Sequence, residues 1–141
     1  AAAGVRGPMV GKLMAAGSLE VDGRTVRLED VSVDKPGQSF AFVMDTRTCD
    51  NAVALAKDGD VLVCESTYLS CDADKARENG HMTAAEAATI ASRAGARLLV
   101  LTHFSQRYTD IEPFLAEARA IHPETVAARD GDTIPVPKRR T

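Results

Sequence analysis

Three short aliphatic runs, each ending abruptly in a side chain able to do chemistry, constrain this chain more than any other feature. Leu98-Leu-Val-Leu101 runs into Thr102-His-Phe-Ser-Gln-Arg-Tyr108. Ser39-Phe-Ala-Phe-Val-Met-Asp-Thr46 closes on Asp45 and a hydroxyl, and Asp60-Val-Leu-Val-Cys-Glu-Ser-Thr67 closes on Glu65 and a hydroxyl. Continuous apolar runs of this length are the pattern of strands covered on both faces, and sheets of such strands carry ligands beyond their carboxyl ends. Asp45, Glu65 and His103 are therefore expected at equivalent positions along one sheet edge, with Ser105, Arg107 and Tyr108 beside them. Two carboxylates and an imidazole are the hard oxygen and borderline nitrogen ligands that zinc or manganese sites use.

The rest of the chain bounds what that edge can belong to. With 141 residues, 45% hydrophobic and 26% charged, residues 1–141 are within the range of one globular domain. No apolar run approaches the roughly 18 residues of a membrane span, and Ala1-Ala-Ala-Gly-Val-Arg6 lacks the apolar stretch of a signal peptide, so a cytoplasmic setting is expected. Cys49, Cys64 and Cys71 are odd in number and lack zinc-ribbon spacing, which reads as reduced, structural thiols. A formal charge of −3 argues against a sequence-independent nucleic-acid binder, although acidic residues committed to metal would mislead that count. The basic cluster Lys138-Arg-Arg140 reads as a solvated tail.

In chain order, Gly7 to Ala15 predicts a short helix with Pro8 in its first turn. Ser18 to Val21 and Thr25 to Val31 flank the hairpin dipeptide Asp22-Gly23, and Lys35-Pro36-Gly37 turns the chain into the strand ending at Asp45. Asp50 to Lys57 predicts the first crossover helix, and Tyr68 to Gly80 a polar surface segment. Thr83-Ala-Ala-Glu86 has the spacing of a capping box that starts a helix ending at Gly95. His81 precedes that helix, where it could join the first amides in facing a phosphate. Ile111 to Ile121 predicts another amphipathic helix, and Thr125 to Ala128 and Thr133 to Val136 predict short edge strands. The pattern is α/β, with a sheet whose apolar underside needs a second layer.

Taken together, Gly7-Pro8 through Leu13, Met44-Asp-Thr46, Cys64-Glu-Ser-Thr67, Gly80-His-Met-Thr83 and Thr102-His-Phe-Ser-Gln-Arg-Tyr108 resemble the carboxyl-terminal half of the ribonuclease Z family. These are zinc-dependent endonucleases of metallo-β-lactamase fold that trim the 3′ end of precursor tRNA. The resemblance implies half of an αββα sandwich, a mixed sheet flanked by helices. It implies that Asp45 bridges two zinc ions, that His103 ligates one, and that Glu65 orients His81, which stabilises charge on the scissile phosphate or assists the leaving oxygen. It further implies that Arg107 and Ser105 meet the RNA, and that the complete enzyme is a homodimer.

The chain departs from that family in lacking its His-x-His-x-Asp-His cluster, for which His81, His103 and His122 cannot substitute. Two protein ligands fall short of the three or four that hold catalytic zinc. The expectation is therefore a piece beginning just after the family's projecting RNA-binding arm, inactive alone and partnered by a missing amino-terminal half. Two other readings stay open: the same half-sandwich from another hydrolase of this fold, an arylsulfatase-like esterase or phosphodiesterase, and a non-catalytic interaction domain.

Overall fold

The computed structural model describes residues 4–35 and 37–138. They fall into two compact units that divide between Gly37 and Gln38. In the first, helix α1 (Pro8–Ala16) starts on Pro8, whose missing amide hydrogen costs nothing in a first turn, and stops at the left-handed Gly17. Strands β1 (Ser18–Val21) and β2 (Arg24–Arg27) pair antiparallel across Asp22 and Gly23. Both turn residues have positive φ, 49° and 73°, as the tight turn matching strand twist requires. The second hairpin strand is shorter than expected. At Leu28 the chain enters one helical turn, α2 (Leu28–Val31), and the Ser32 hydroxyl bonds back to the Leu28 carbonyl at 2.6 Å.

The second unit is built on strands β3 (Phe40–Val43), β4 (Val61–Glu65), β5 (Leu99–Thr102) and β6 (Thr125–Ala127). They lie in sequential order and are all parallel. The sheet in this unit is thus purely parallel rather than mixed, and the described antiparallel strands belong to the hairpin unit. Connections run through α3 (Asp50–Leu55), a 3₁₀ turn at Ser70–Asp72 with α4 (Ala73–Asn79) and α5 (Ala84–Ala94), and α6 (Glu112–Arg119).

Sequential order has a direct consequence. Parallel crossovers are right-handed, so a sheet that always advances in one direction places its crossover helices on one face. That face is the core: Ala41, Val43, Leu62, Cys64, Leu99 and Leu101 pack with the small-residue face of α5 and with Phe114 and Ala118 of α6. Alanines at 84, 87, 88, 91 and 94 let α5 approach closely. The alternate residues of β3 point to the other face, where Phe40 and Phe42 remain 61% and 55% exposed, their rings 6.4 Å apart. An apolar face of this kind is the one a second layer covers.

Two expected elements differ in this unit. The polar stretch after Tyr68 contains a helix, α4, capped by Gly80 with φ 79°. Thr133 to Val136 is not a strand: the Val136 and Pro137 carbonyls accept from the Gln38 side chain, and Pro137 and Lys138 accept from Arg97, so side chains rather than a ladder hold that tail. Pro36, Arg139 and Arg140, part of the expected turn and basic tail, lie outside the described residues. The cysteines are free, but only Cys64 is buried. Burial, and then the neighbouring Glu65 charge, push its thiol up to about 12, so it is inert.

Candidate active site

Asp45, Glu65 and His103 lie at or beyond the carboxyl ends of β3, β4 and β5, but the three strand-end residues are not equivalent. Val43, Cys64 and Leu101 share a rung. Asp45 and His103 each lie two residues past it, whereas Glu65 lies one past and is fully buried. Asp45 and His103 also share a backbone peculiarity, left-handed φ values of 49° and 59°. Asp and His tolerate that region better than most residues, and the two side chains meet at the ends of their strands. The His103 imidazole Nε2 consequently comes within 3.3 Å of Asp45 Oδ1.

His81 arrives by a route that depends on α4. The helix ends in a Schellman motif, with the His81 amide donating to the Ala76 carbonyl at 2.9 Å. The chain then runs parallel to the extension of β4, Tyr68 pairing with Thr83. His81 is thereby laid against Glu65, its Nδ1 3.1 Å from both carboxylate oxygens. Glu65 also accepts from the Thr46 amide at 2.6 Å, the Thr67 hydroxyl at 2.7 Å and the Met82 amide at 3.2 Å. A carboxylate ringed by donors matches its acceptor-only character.

Among the described residues, Asp45, His81 and His103 form the cluster able to hold a metal ion, their ligand atoms within 4.8 Å of one another. The donor set fits. Two ligands on a tetrahedral cation with bonds of about 2.0–2.1 Å stand about 3.3 Å apart, the separation found between His103 Nε2 and Asp45 Oδ1. With His81 held against Glu65, Asp45 and His103 alone leave such a cation short of ligands or open to substrate.

The remaining expected residues lie at the rim. Arg107 stacks over the Tyr68 ring, 5.3 Å from its centroid, with Nη1 3.9 Å from Asp72 Oδ1. Ser105 turns the loop, its amide donating to the Thr67 carbonyl at 3.1 Å and its carbonyl accepting from the Tyr108 amide at 3.1 Å. The start of α5 does not serve as an anion site. Thr83 and Glu86 close the capping box on each other, and the Ala84 amide bonds the Tyr68 carbonyl at 3.0 Å. Sequence reasoning missed the donors that hold Glu65, namely the amides of Thr46 and Met82; no side-chain pattern announces them.

A profile of the beta-lactamase superfamily domain matches residues 21–104. The chain belongs to that superfamily. Within it, the chain is 53% identical over 99% of its length to Ribonuclease Z of Nocardia farcinica and 51% identical over 97% to Ribonuclease Z of Salinispora arenicola. It spans about half the length of these curated relatives, 46% and 45%. Among solved structures, the metallo-beta-lactamase fold protein YhfI of Bacillus subtilis superimposes with a TM-score of 0.62 at 27% identity, covering 67% of this chain and 39% of that one. Human tRNase Z, short form, superimposes with a TM-score of 0.58 at 32% identity, covering 81% and 37%. The α/β architecture expected from the sequence is that of this superfamily.

Proposed function

We propose that the chain is the carboxyl-terminal half of a zinc-dependent endoribonuclease that removes the 3′ trailer of precursor tRNA. The observation that carries this reading is the pairing of buried Glu65 with His81 beside the Asp45–His103 pair: a ligand set and a proton-carrying group side by side. Zinc, when bound, supplies Lewis acidity toward a phosphoryl oxygen. The chain's own residues do the rest. Asp45 offers two carboxylate oxygens and His103 its Nε2 as ligands. Glu65 holds His81 by Nδ1, which leaves Nε2 to stabilise charge on the scissile phosphate or carry a proton to the leaving oxygen. Arg107 and Ser105 are the rim contacts for RNA phosphate.

The same reading makes residues 1–141 one carboxyl-terminal half-domain, whose exposed sheet face takes an amino-terminal half with the further ligands. The complete enzyme is a cytoplasmic homodimer; no described helix is long and apolar enough to cross a membrane, and free cysteines suit a reducing compartment.

The test is an assay of the full-length protein on precursor tRNA and on aryl sulfate, beside the isolated chain. Cleavage of the tRNA alone by the full-length protein, with weak zinc binding and no cleavage by the isolated chain, is the expected result. Preference for the aryl ester would replace this reading by the esterase one.

A further inference from the structure

Between the two functional pairs stands a residue that touches both. Thr67, two residues past the end of β4 and buried, places its hydroxyl 2.7 Å from Glu65 Oε2 and 2.8 Å from His103 Nδ1. Its carbonyl takes the Ser105 amide at 3.1 Å, so side chain and backbone bracket His103 from both sides. A hydroxyl has one hydrogen and two lone pairs. Glu65 as a carboxylate can only accept, so the Thr67 hydrogen is committed to it. The Thr67 oxygen must then accept, and His103 must carry its hydrogen on Nδ1. That leaves neutral His103 with its Nε2 lone pair facing Asp45 Oδ1 at 3.3 Å, two acceptors that a cation between them reconciles, as a second proton on the ring also would.

We infer that Thr67 is a positioning residue: its hydroxyl fixes the Nδ1–H tautomer and ring orientation of His103, presenting Nε2 to metal. It also ties that imidazole, through Glu65, to His81. This rests on the proposed metal role of Asp45 and His103 and adds the device that sets the ligand. The left-handed backbone of His103 is a conformation that the surroundings must hold, and the Thr67 hydroxyl is one of those contacts. Outer partners of this kind orient metal-binding imidazoles and raise their basicity.

The experiment uses the full-length protein with zinc as the probe. Thr67→Val keeps the shape and removes the hydroxyl; Thr67→Ser keeps the hydroxyl. Chelator competition should show zinc affinity falling about 10- to 100-fold in Thr67→Val, with Thr67→Ser within about threefold of wild type. Ring nitrogen spectra of the zinc-loaded wild type should show hydrogen on His103 Nδ1 and metal on Nε2, which decides the matter even where Thr67→Val does not fold. Unchanged affinity in Thr67→Val, an equal loss in Thr67→Ser, or zinc on Nδ1 overturns the inference. The ribonuclease reading fails by a different sign: no cleavage of precursor tRNA by a wild type whose variants still divide in zinc affinity.

Discussion

Both ends of β4 carry a fully buried carboxylate, and the two are managed in opposite ways. At the amino end, Asp60 accepts from the Ser39 amide at 2.8 Å and from Arg97 Nη1 at 2.9 Å. Arg97 gives two further hydrogens to the Pro137 and Lys138 carbonyls. At the carboxyl end, Glu65 has two amides, a hydroxyl and an imidazole. A guanidinium keeps its proton under all working conditions, whereas an imidazole can exchange one. The histidines divide likewise. His122 is buried with Nε2 on the Ala96 carbonyl at 2.8 Å, a structural bond, while His81 and His103, rings 5.3 Å apart, keep part of their surface in solvent. What separates a structural polar cluster from a chemical one in this fold is the partner of the buried charge, not the charge itself.

The sharpest way to break this comparison is to remove residues at the carboxyl end of the full-length protein. Asp45→Ala should produce the largest loss, lowering metal content and activity together, measured by metal analysis beside tRNA cleavage. His81→Ala should leave metal content unchanged and slow cleavage about 10²- to 10³-fold. Glu65→Ala should act through His81, so the double variant should be little slower than His81→Ala alone. Additive losses would show that the two do not work as a unit.

Asp60→Ala is the counterpart at the other end. Losing a buried carboxylate with charge-assisted bonds should lower stability by about 2 kcal/mol in denaturant titration, with the rate constant at saturating substrate unchanged. A fall in rate without a fall in stability would erase the distinction between the ends.

Much of the carboxyl end was legible in the sequence, because apolar runs closed by Asp45, Glu65 and His103 follow the physics of parallel strands. Their inequality was not, since a one-residue offset in register appears only when the rungs are paired. Helix α4 was hidden for another reason. Its residues are nearly all polar, only Ala76 is buried, and local ion pairs, Lys75 with Asp72 and Arg77 with Asp74, support it. No hydrophobic period marks such a helix; Gly80 was its one visible signal. The hairpin was legible in its turn but not in its length, as Arg27 to Val31 carries nothing that separates strand from helical turn.

A smaller effect is expected at the rim. Arg107 already has Asp72 and the Tyr68 ring as partners, so Arg107→Ala should weaken precursor-tRNA binding only several-fold and flatten its salt dependence by about one phosphate contact. An unchanged salt slope would remove Arg107 from the RNA surface.

The smallest effect concerns the anchor of the His103 loop, where the Tyr108 hydroxyl donates to Asp72 Oδ2 at 2.6 Å and accepts from the Leu69 amide at 3.2 Å. Burial first, and then the bond to Asp72, push the Tyr108 phenol up to about 12 from its ordinary 10.0. A group whose folded form holds its proton more tightly contributes stability below its ordinary value and loses it as pH rises toward the folded one. Asp72 is displaced the other way, held below its ordinary 3.8 by its hydrogen bond to Lys75 first and then by Tyr108. Its contribution is present above that value and disappears as acid protonates it. The anchor is therefore constant from pH 5 to 9, between the values at which Asp72 and Tyr108 titrate. Thermal melting of the Tyr108→Phe variant should run parallel to wild type across that range. Between pH 10 and 12 the wild type should lose more than the variant, because only the wild type has a phenol to ionise. Divergence near neutral pH instead would show that a group other than Tyr108 and Asp72 controls the anchor.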